Sequence, residues 1–510
     1  MPELSICLPA IRPDRWQKLY DSLLTACSAH DFELVLISPY NLPVSMQGLP
    51  NVKHIKEFGS ATRATMLGSN FCTGKYIAVP ADDGYFFPNS FDQALDYMAN
   101  KPANDVMVLR YREGKNCDGK PLDNSYWLAK THIDAASLHI QPDWLTASQP
   151  LLQLDFFRDF GGWDCNFEHV AFAAHDFSYR SQRCGSRHHL SPIEVMNADH
   201  SPGISGDHAP IHHGHIEHDQ PFFTQMYKSP SVVGRTKIDF NNWMTSPTSW
   251  ERRFPNRPKY DLSICIPGIR VGNWQQIYDS VIGSARRYNV QLVFVGPYDP
   301  PASILDNPHV KFLKDYGAPT RCVQMGSMLC EGNLFMWFSD DGIFVGKSLM
   351  RAIDLFGAED NSRNEMIMRY TEGAGRTGQM PIDEYWRAKY HRDNHFLAVP
   401  EETKIAPLGM MGLSLFREMG GFDCRYEHIN LSTHDLAFRI QKAGGKLIMS
   451  PQCVAHFDWN PNAPDYAPVR DSYLVNDLPL FRQEYSQPNS SIKLDFNNWR
   501  ASPARWRRFA

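Results

Sequence analysis

The sequence predicts an α/β fold that occurs twice, as two tandem domains of similar length. Three observations favour this class. The chain has 510 residues, which is enough for two or three ordinary domains. Several motifs occur twice at a nearly constant separation. Within each copy, short apolar segments alternate with helical patterns. These apolar segments are continuous, as in strands buried on both faces of a largely parallel sheet.

Five pairs of segments carry the repeat. They are 4–9 and 262–267, 16–22 and 274–280, 81–84 and 339–342, 161–165 and 420–424, and 239–243 and 495–499. The members of a pair lie 256 to 259 residues apart, so the two copies are collinear. A period of this length indicates duplicated whole domains and not a solenoid. We therefore expect one domain over residues 1–257 and another over 258–510, joined by the polar, proline-containing stretch 251–259.

The composition is that of a soluble globular protein, with 43% hydrophobic and 21% charged residues. The net charge of −5 gives no support to a nucleic-acid partner. The sequence contains no apolar run long enough to span a membrane and no N-terminal signal segment. Its eleven cysteines are scattered without a Cys-x-x-Cys pair, which favours reduced thiols and a cytoplasmic location.

The elements are clearest in the second copy. Strands are predicted over 263–267, 291–296, 310–313 and 334–338, and helices from Trp274 and over 320–330. The apolar run 334–338 is followed at once by Asp340 and Asp341. Ligands of such sheets bind beyond the carboxyl ends of the strands. We therefore expect these two aspartates to face a binding crevice.

The aspartate pair has two interpretations. Adjacent buried carboxylates repel each other, and a Mg²⁺ or Mn²⁺ ion would offset that cost. Asp-Asp-Gly is equally a good turn sequence. The pair recurs in the first copy as Asp82 and Asp83, at the same predicted strand end, and this recurrence favours the metal interpretation.

A second group of polar residues follows the Gly-Gly-Phe-Asp segment 420–423. Thr433 is a plausible N-cap, which puts Asp435 in the first turn of a helix that Gly444 ends. Asp435 then either acts on a ligand or complements the helix dipole. His456 lies in a later apolar strand, where a histidine is more often a core residue than a ligand.

Together these residues resemble the GT-A-fold nucleotide-sugar glycosyltransferases, especially the inverting family 2. The matching positions are the strand 264–267, Gly317 to Arg321, Asp340-Asp341, 420–423, His434-Asp435 and His456. The resemblance covers most of both copies. The chain departs from the family pattern at Phe338, where a leading aspartate is usual, and at His434, where a glutamate is usual.

The resemblance implies two tandem GT-A-like, Rossmann-like domains and a metal-dependent, inverting transfer of sugar from a nucleotide-linked donor, UDP-linked by default, to an acceptor hydroxyl. It implies the following roles in the second copy: Asp341 and His456 as ligands of Mn²⁺ or Mg²⁺, Asp340, Arg270 and Arg321 as donor-binding residues, and Asp435 as general base. The acceptor would be a glycan or another hydroxyl compound.

The first copy keeps most of this set. By the same resemblance, Arg12, Arg63 and Asp82 would bind donor, Asp83 would bind metal, and Asp176 would be the base. Asn197 stands where the second copy has His456, and it is a poorer metal ligand. Either His200 or Asp199 takes its place, or the first copy binds donor weakly, or this copy holds the acceptor or has a structural role. A histidine-rich stretch follows, with His208, His212, His213, His215 and His218, which is either a polar loop or a separate metal site.

Two further repeated motifs have open roles. The Tyr-Trp pairs 126–127 and 385–386 either stack on a sugar or base or belong to a core between the domains. The Asp-Phe-Asn-Asn-Trp motifs at 239–243 and 495–499 either pack the two domains together or cap the active sites. For the whole chain, the alternative to a transferase is an inactive glycan- or nucleotide-binding protein, at least for the first copy.

Overall fold

In the computed structural model the chain divides into two compact units, Met1–Arg257 and Pro258–Ala510, and this division coincides with the predicted boundary. The structure describes residues 2–114, 117–199, 212–229, 231, 235–245, 259–358, 360–391, 397–460, 467–487 and 490–502. Except for Lys259, the predicted linker 251–259 lies outside these residues, as do His200 and His208.

The first unit is built on one mixed sheet. Its strands are β1 Leu4–Pro9, β2 Phe32–Ser38, β3 Val52–Lys56, β4 Tyr76–Ala78, β5 Gly84–Phe86, β6 Val106–Gly114, β7 Lys120–Pro121, β8 Pro150–Gln153 and β9 His188–Asp199. The sheet order is β3-β2-β1-β4-β8-β6-β9-β5, with β7 paired to β6. Its α-helices are Pro13–Ala26, Ala61–Phe71, Ser90–Met98, Ala129–His132, Leu154–Asp159, Val170–Arg183 and Gln220–Lys228.

The second unit has the same order of elements. Its strands are β10 Leu262–Pro267, β11 Val290–Gly296, β12 Val310–Lys314, β13 Leu334–Trp337, β14 Gly342–Phe344, β15 Glu365–Ile367, β16 Tyr370–Glu372, β17 Gly409–Gly412, β18 Leu447–Met449 and β19 Ala455–Phe457. They form a sheet of order β12-β11-β10-β13-β17-β15-β18 and a smaller sheet of order β14-β19-β16. Its α-helices are Trp274–Ala285, Ala302–Leu305, Pro319–Gly326, Ser348–Gly357, Ala388–His391, Leu413–Glu418, Ile429–Lys442, Ala467–Ser472 and Leu478–Tyr485.

The predicted α/β class is confirmed, and each sheet owes its stability to continuous apolar strands. In β10 the side chains of Leu262, Ile264, Cys265 and Ile266 are fully buried. Strands β10, β11, β12 and β13 are parallel, but β17 enters antiparallel between β13 and β15, as β8 does in the first unit. The sequence predicts a largely parallel sheet, and the antiparallel strands β17 and β8 are not predicted.

Two helix predictions need correction. The predicted helix 320–330 is an α-helix over Pro319–Gly326 followed by a 3₁₀ turn over Ser327–Leu329. The prediction of Thr433 as an N-cap is wrong. The helix begins at Ile429, and Nδ1 of His428 caps it by accepting a 3.0 Å hydrogen bond from the amide of Asn430. Among the residues described, no helix is long and apolar enough to cross a membrane.

Candidate functional site

The second unit has a cavity of about 400 Å³ at the carboxyl ends of its parallel strands. Residues that directly follow β10, β11 and β13 line it, namely Gly268, Pro297 and Phe338. Such crevices are where open α/β sheets bind their ligands. The cavity therefore lies where the sequence predicts a binding site, and both Asp340 and Asp341 line it.

Asp340 holds the loop that follows β10. Its carboxylate accepts hydrogen bonds from the amides of Ile269 (2.7 Å) and Arg270 (2.6 Å) and from the Arg270 guanidinium (2.6 Å). Asp82 holds the corresponding loop of the first unit through the amides of Ile11 and Arg12 and the Arg12 guanidinium. These carboxylates and guanidinium groups line the cavities, but they are paired with each other. Their first role is therefore to fix the loop.

Asp341 and Glu372 form an acidic pair in this cavity. Among the described residues neither carboxylate has an ion-pair partner, although Arg376 donates to the backbone carbonyl of Asp341 at 3.2 Å. Oδ1 of Asp341 is buried and has no hydrogen-bond partner. Glu372 is exposed to solvent at the cavity, but desolvation by the surrounding protein, and then the charge of Asp341, raises its pKa to about 7. Burial also raises the pKa of Asp341, and the charge of Asp340 adds to that effect. Both side chains line the cavity, so a cation bound there would stabilise their ionised forms.

The donor set fits a hard divalent ion that shares its ligands with a bound molecule. In the described part of the chain, no group of three His, Cys, Asp or Glu residues is arranged to hold a metal by itself. Mg²⁺ in particular is usually held by only one or two carboxylates plus water and substrate phosphates. Asp341 and Glu372 match that pattern.

His456 is not placed to contact a ligand in the cavity, contrary to the predicted metal role. The strand register pairs His456 with Thr371 and Phe457 with Glu372. Successive side chains of a strand point to opposite faces, and Glu372 and Phe457 line the cavity. His456 therefore faces the other side, where its Nδ1 lies 2.6 Å from the Thr371 hydroxyl. Since neither His456 nor Asn197 lines its cavity, the difference between these two residues gives no reason to expect weaker metal binding in the first unit.

Arg321 and Arg63, which the sequence predicts as donor-binding residues near the starts of two helices, also lie outside the cavities. Arg321 pairs with Asp315 at 3.1 Å, donates to the carbonyl of Trp499 at 2.9 Å and stacks on that indole ring. Arg63 is buried and makes the same contacts with Glu57 and Trp243. Neither arginine is among the residues that line a cavity. They tie the C-terminal segment of each unit to the sheet.

Asp435 and Asp176 are buried in ion pairs, which contradicts their predicted role as general bases. Asp435 pairs with Arg439 at 2.8 Å and accepts a 2.7 Å hydrogen bond from the Tyr485 hydroxyl. Asp176 is bound in the same way by Arg180, at 2.7 Å, and by Tyr227 and Arg235. Neither aspartate lines its cavity. The cause is the earlier helix start, which places Asp435 in the second turn, one turn before Arg439.

Two groups of cavity residues are not predicted from the sequence, although each group occurs at corresponding positions of both copies. Glu372 and Glu113 line their cavities and belong to a Tyr-x-Glu-Gly motif found in both copies, at 370–373 and 111–114. His428 and His169 also line the cavities, and both follow a glutamate and cap a helix. Burial lowers the pKa of His428 to about 4, so this imidazole is neutral at pH 7.

Each of the other repeated motifs makes its contacts within its own unit. Tyr126 and Tyr385 line the cavities, whereas Trp127 and Trp386 are fully buried in the core of their own unit. The Asp-Phe-Asn-Asn-Trp motif at 495–499 binds the Gly-Gly-Phe-Asp loop of its own unit. There the Asn498 side chain accepts a hydrogen bond from the amide of Cys424 (2.8 Å) and donates to the carbonyl of Gly420 (3.1 Å).

The first unit has a larger cavity, of about 590 Å³, with a different charge balance. Asp83 lines it with its Oδ1 buried and unpartnered, and burial raises the pKa of Asp83 to about 7. Arg15 donates to the carbonyl of Asp83 at 3.1 Å, as Arg376 does to the carbonyl of Asp341 in the second unit, and it also pairs with Asp199 at 2.9 Å. The second copy has Asn273 at the position of Arg15.

In sequence comparisons, no protein-family model and no curated protein matches the chain. Similar solved structures include S. aureus TarS, with a TM-score of 0.29, 12% identity and coverage of 39% of this chain and 37% of TarS. For TarS residues 1–349 the TM-score is 0.31 and the identity 12%, over 51% of this chain and 94% of the other. For GalNAc-T7 with UDP, GalNAc and Mn²⁺ the TM-score is 0.30 and the identity 14%. That match covers 42% of this chain and 48% of the GalNAc-T7 chain. Similarity at this level supports no inference about function.

Proposed function

We propose that the chain is a nucleotide-sugar-dependent glycosyltransferase whose transferase site is the cavity of the second unit. The observation that carries this proposal is the acidic pair Asp341 and Glu372 at the carboxyl edge of a parallel sheet. These carboxylates would hold Mn²⁺ or Mg²⁺ against the diphosphate of a UDP-linked or similar donor. When bound, the ion would offset the charge that builds up on the departing nucleoside diphosphate.

Other residues of the cavity suit the same ligand. Arg470 lines it and supplies a permanent positive charge for a phosphate group. Tyr385 and Trp459 also line it and offer aromatic faces to a base or sugar ring. The neutral imidazole of His428 accepts at Nδ1, so its proton is on Nε2, from which it can donate to a ligand oxygen.

The inverting course predicted from the family resemblance stays a prediction, and no base is assigned, since Asp435 lies outside the cavity. The configuration of the product tests it directly. One-dimensional NMR of the first product formed from an α-linked donor is expected to show a β anomeric proton. An α product would indicate retention.

The test of the proposed activity is release of nucleoside diphosphate from a panel of UDP-, GDP- and ADP-linked sugars, with Mn²⁺ or with a chelator. Asp341→Asn should lower turnover by about 100-fold or more, because a catalytic metal contributes several kcal/mol and about 1.4 kcal/mol is a tenfold effect. Asp83→Asn, the same change in the first unit, is the matched control and should have a much smaller effect.

The competing function is a binding protein without turnover, and the burial of Asp435 in an ion pair favours it. In that case a sugar nucleotide binds in the presence of Mn²⁺ but no nucleoside diphosphate is released, even with a panel of hydroxyl acceptors. Retention of full turnover by Asp341→Asn would contradict the proposed site in the second unit.

A further inference from the structure

Four histidines come together at the cavity of the first unit. They are His132, His169, His175 and His215, and all line the cavity. The ring centroids of His132 and His175 are 5.5 Å apart, and those of His169 and His215 are 4.9 Å apart. Phe172 lies between the two pairs, 4.8 Å from His215 and 5.6 Å from His175. Three separate segments of the unit therefore contribute imidazoles to one wall.

Two of these imidazoles have an unsatisfied nitrogen. Nδ1 of His175 and Nδ1 of His215 are buried and have no hydrogen-bond partner. His175 is only 6% exposed, so water has little access to the hydrogen-bonding nitrogens of its ring. A buried polar atom left without a partner costs about 1–3 kcal/mol, which a ligand with matching polar groups would recover.

The imidazoles of His132, His175 and His215 are neutral at pH 7. Burial lowers the pKa of His175 well below its ordinary value, and the neighbouring His132, His215 and His169 lower it further. Burial also lowers the pKa of His132 and of His215. A neutral imidazole has one donor and one acceptor nitrogen, which is the same pairing that a hydroxyl group offers.

The second unit differs at the corresponding positions. Its cavity has Arg470 and Tyr473 where the first unit has His212 and His215. It also has Trp337 and Phe338 where the first unit has Val79 and Pro80, so the cavity of the first unit has more space, about 590 against 400 Å³. The first unit thus lacks the arginine that would meet a phosphate at this wall.

The acidic side of the first cavity keeps Asp83 and Glu113, which correspond to Asp341 and Glu372, but its other carboxylates already have guanidinium partners. Arg15 already pairs with Asp199, and Arg12 pairs with Asp82. No group of three His, Cys, Asp or Glu residues in the described ranges is arranged to hold a metal ion, and this includes the four imidazoles. The cavity therefore has hydroxyl-type partners on one wall. On the other, guanidinium groups already pair with Asp82 and Asp199, while Oδ1 of Asp83 has no hydrogen-bond partner.

We propose that the first unit is a saccharide-binding unit, whose cavity takes a neutral, hydroxyl-rich ligand with His175 and His215 as its polar contacts. Tyr126, which also lines the cavity, offers an aromatic face for a sugar ring. This inference rests on the proposed function, because it supplies the acceptor glycan that a sugar transferase in the second unit would extend.

Saturation-transfer NMR on the full chain tests the proposal, with neutral di- to tetrasaccharides of glucose, galactose and N-acetylglucosamine as probes. The wild type should give saccharide signals. His175→Gln and the double variant His212→Arg with His215→Tyr, which introduces the residues of the second unit, should each weaken binding by about tenfold or more. His213→Ala is the matched control. His213 lies on the same segment but is 54% exposed and pairs with Glu217, so its loss should leave the signals unchanged.

Thermal unfolding followed by circular dichroism reports whether the variants are folded. Manganese-dependent binding of UDP, measured on the same samples, separates the two proposals. If UDP binds but no saccharide of the panel does, the inference fails and the proposed function stands. If a saccharide binds through His175 and His215 but no sugar nucleotide is turned over, the proposed function fails and the saccharide site stands. Saccharide binding that both histidine variants retain, or that requires added Zn²⁺, would also overturn the inference.

Discussion

At the residue scale, the acidic pair of the second unit links pH to metal binding. The pKa of Glu372 is raised to about 7, so in the absence of a cation this carboxyl is partly protonated near neutral pH. A metal ligand has to be deprotonated, and binding therefore releases a proton. We expect Mn²⁺ to bind more tightly as the pH rises from 6 to 8, by up to about tenfold per pH unit below the pKa.

Titration calorimetry with Mn²⁺ and UDP at several pH values measures this dependence. In Glu372→Gln the affinity should be lower and its change across this pH range smaller, because the group that titrates is gone. A wild-type affinity that is constant from pH 6 to 8 would contradict the assignment of Glu372.

Glu365 is a second residue whose ionisation has a predictable effect. It is fully buried in β15, both carboxyl oxygens lack hydrogen-bond partners, and burial raises its pKa well above the ordinary value. The first unit has the apolar Val106 at this position. Glu365→Met, which keeps the side-chain volume, should stabilise the second unit by about 1–3 kcal/mol at pH 7.

The pH dependence of that gain has a defined sign. The folded state favours the protonated carboxyl, whereas the unfolded chain ionises near pH 4.3. The wild type therefore loses stability as the pH rises above about 4.3, and its difference from Glu365→Met should widen from there. Hydrogen exchange of peptides that contain residues 365–367 and 409–412 measures the opening free energy. The exposed Glu402→Gln serves as the control, and an equal gain at pH 4 and pH 7 would refute the mechanism.

At the element scale, the helix Ile429–Lys442 depends on the buried Asp435. This carboxylate joins Arg439 of the same helix to Tyr485 of the helix Leu478–Tyr485. Asp435→Asn leaves the Arg439 guanidinium buried without its counter-charge, which typically costs about 3–5 kcal/mol. We expect this variant to lose exchange protection in both helices while the molecules that stay folded keep their turnover.

The measurement is hydrogen exchange together with turnover per folded molecule, and Asp279→Asn on the exposed face of another helix is the control. If Asp435→Asn abolishes turnover without any change in protection, the aspartate has a catalytic role after all.

The sequence predicts the elements better than their ends, and this decides the assignment of Asp435. The strands β10 to β13 agree with the sequence prediction to within a residue. The helix, however, begins at Ile429 because His428 caps it with a ring nitrogen, and histidine is not among the usual capping residues. The predicted N-cap Thr433 lies five residues after the observed N-cap His428, and this error put Asp435 at a loop edge when it lies in the core.

The cavity could be predicted only in part for a similar reason. Asp341 follows an apolar strand directly, so its place at the sheet edge follows from the sequence. His456 has no comparable signal, since a one-residue difference in register decides which face of β19 it occupies. The repeat could have identified Glu372, because the Tyr-x-Glu-Gly motif occurs in both copies.

At the scale of the whole molecule, the two units share an order of elements and differ in the chemistry of their cavities. The repeat in the sequence predicts the division near residue 257, and the structure has it there. The wall that carries Arg470 and Tyr473 in the second unit carries His212 and His215 in the first. One chain therefore carries two cavities suited to different ligands.

The most direct test of this account is the number of Mn²⁺ ions that the full chain binds in the presence of UDP, measured by electron paramagnetic resonance of the free ion. We predict one Mn²⁺ per chain, bound only when UDP is present, lost in Asp341→Asn and retained in Asp83→Asn. Retention of that ion by Asp341→Asn, or its loss in Asp83→Asn alone, would contradict the assignment of the transferase site to the second unit.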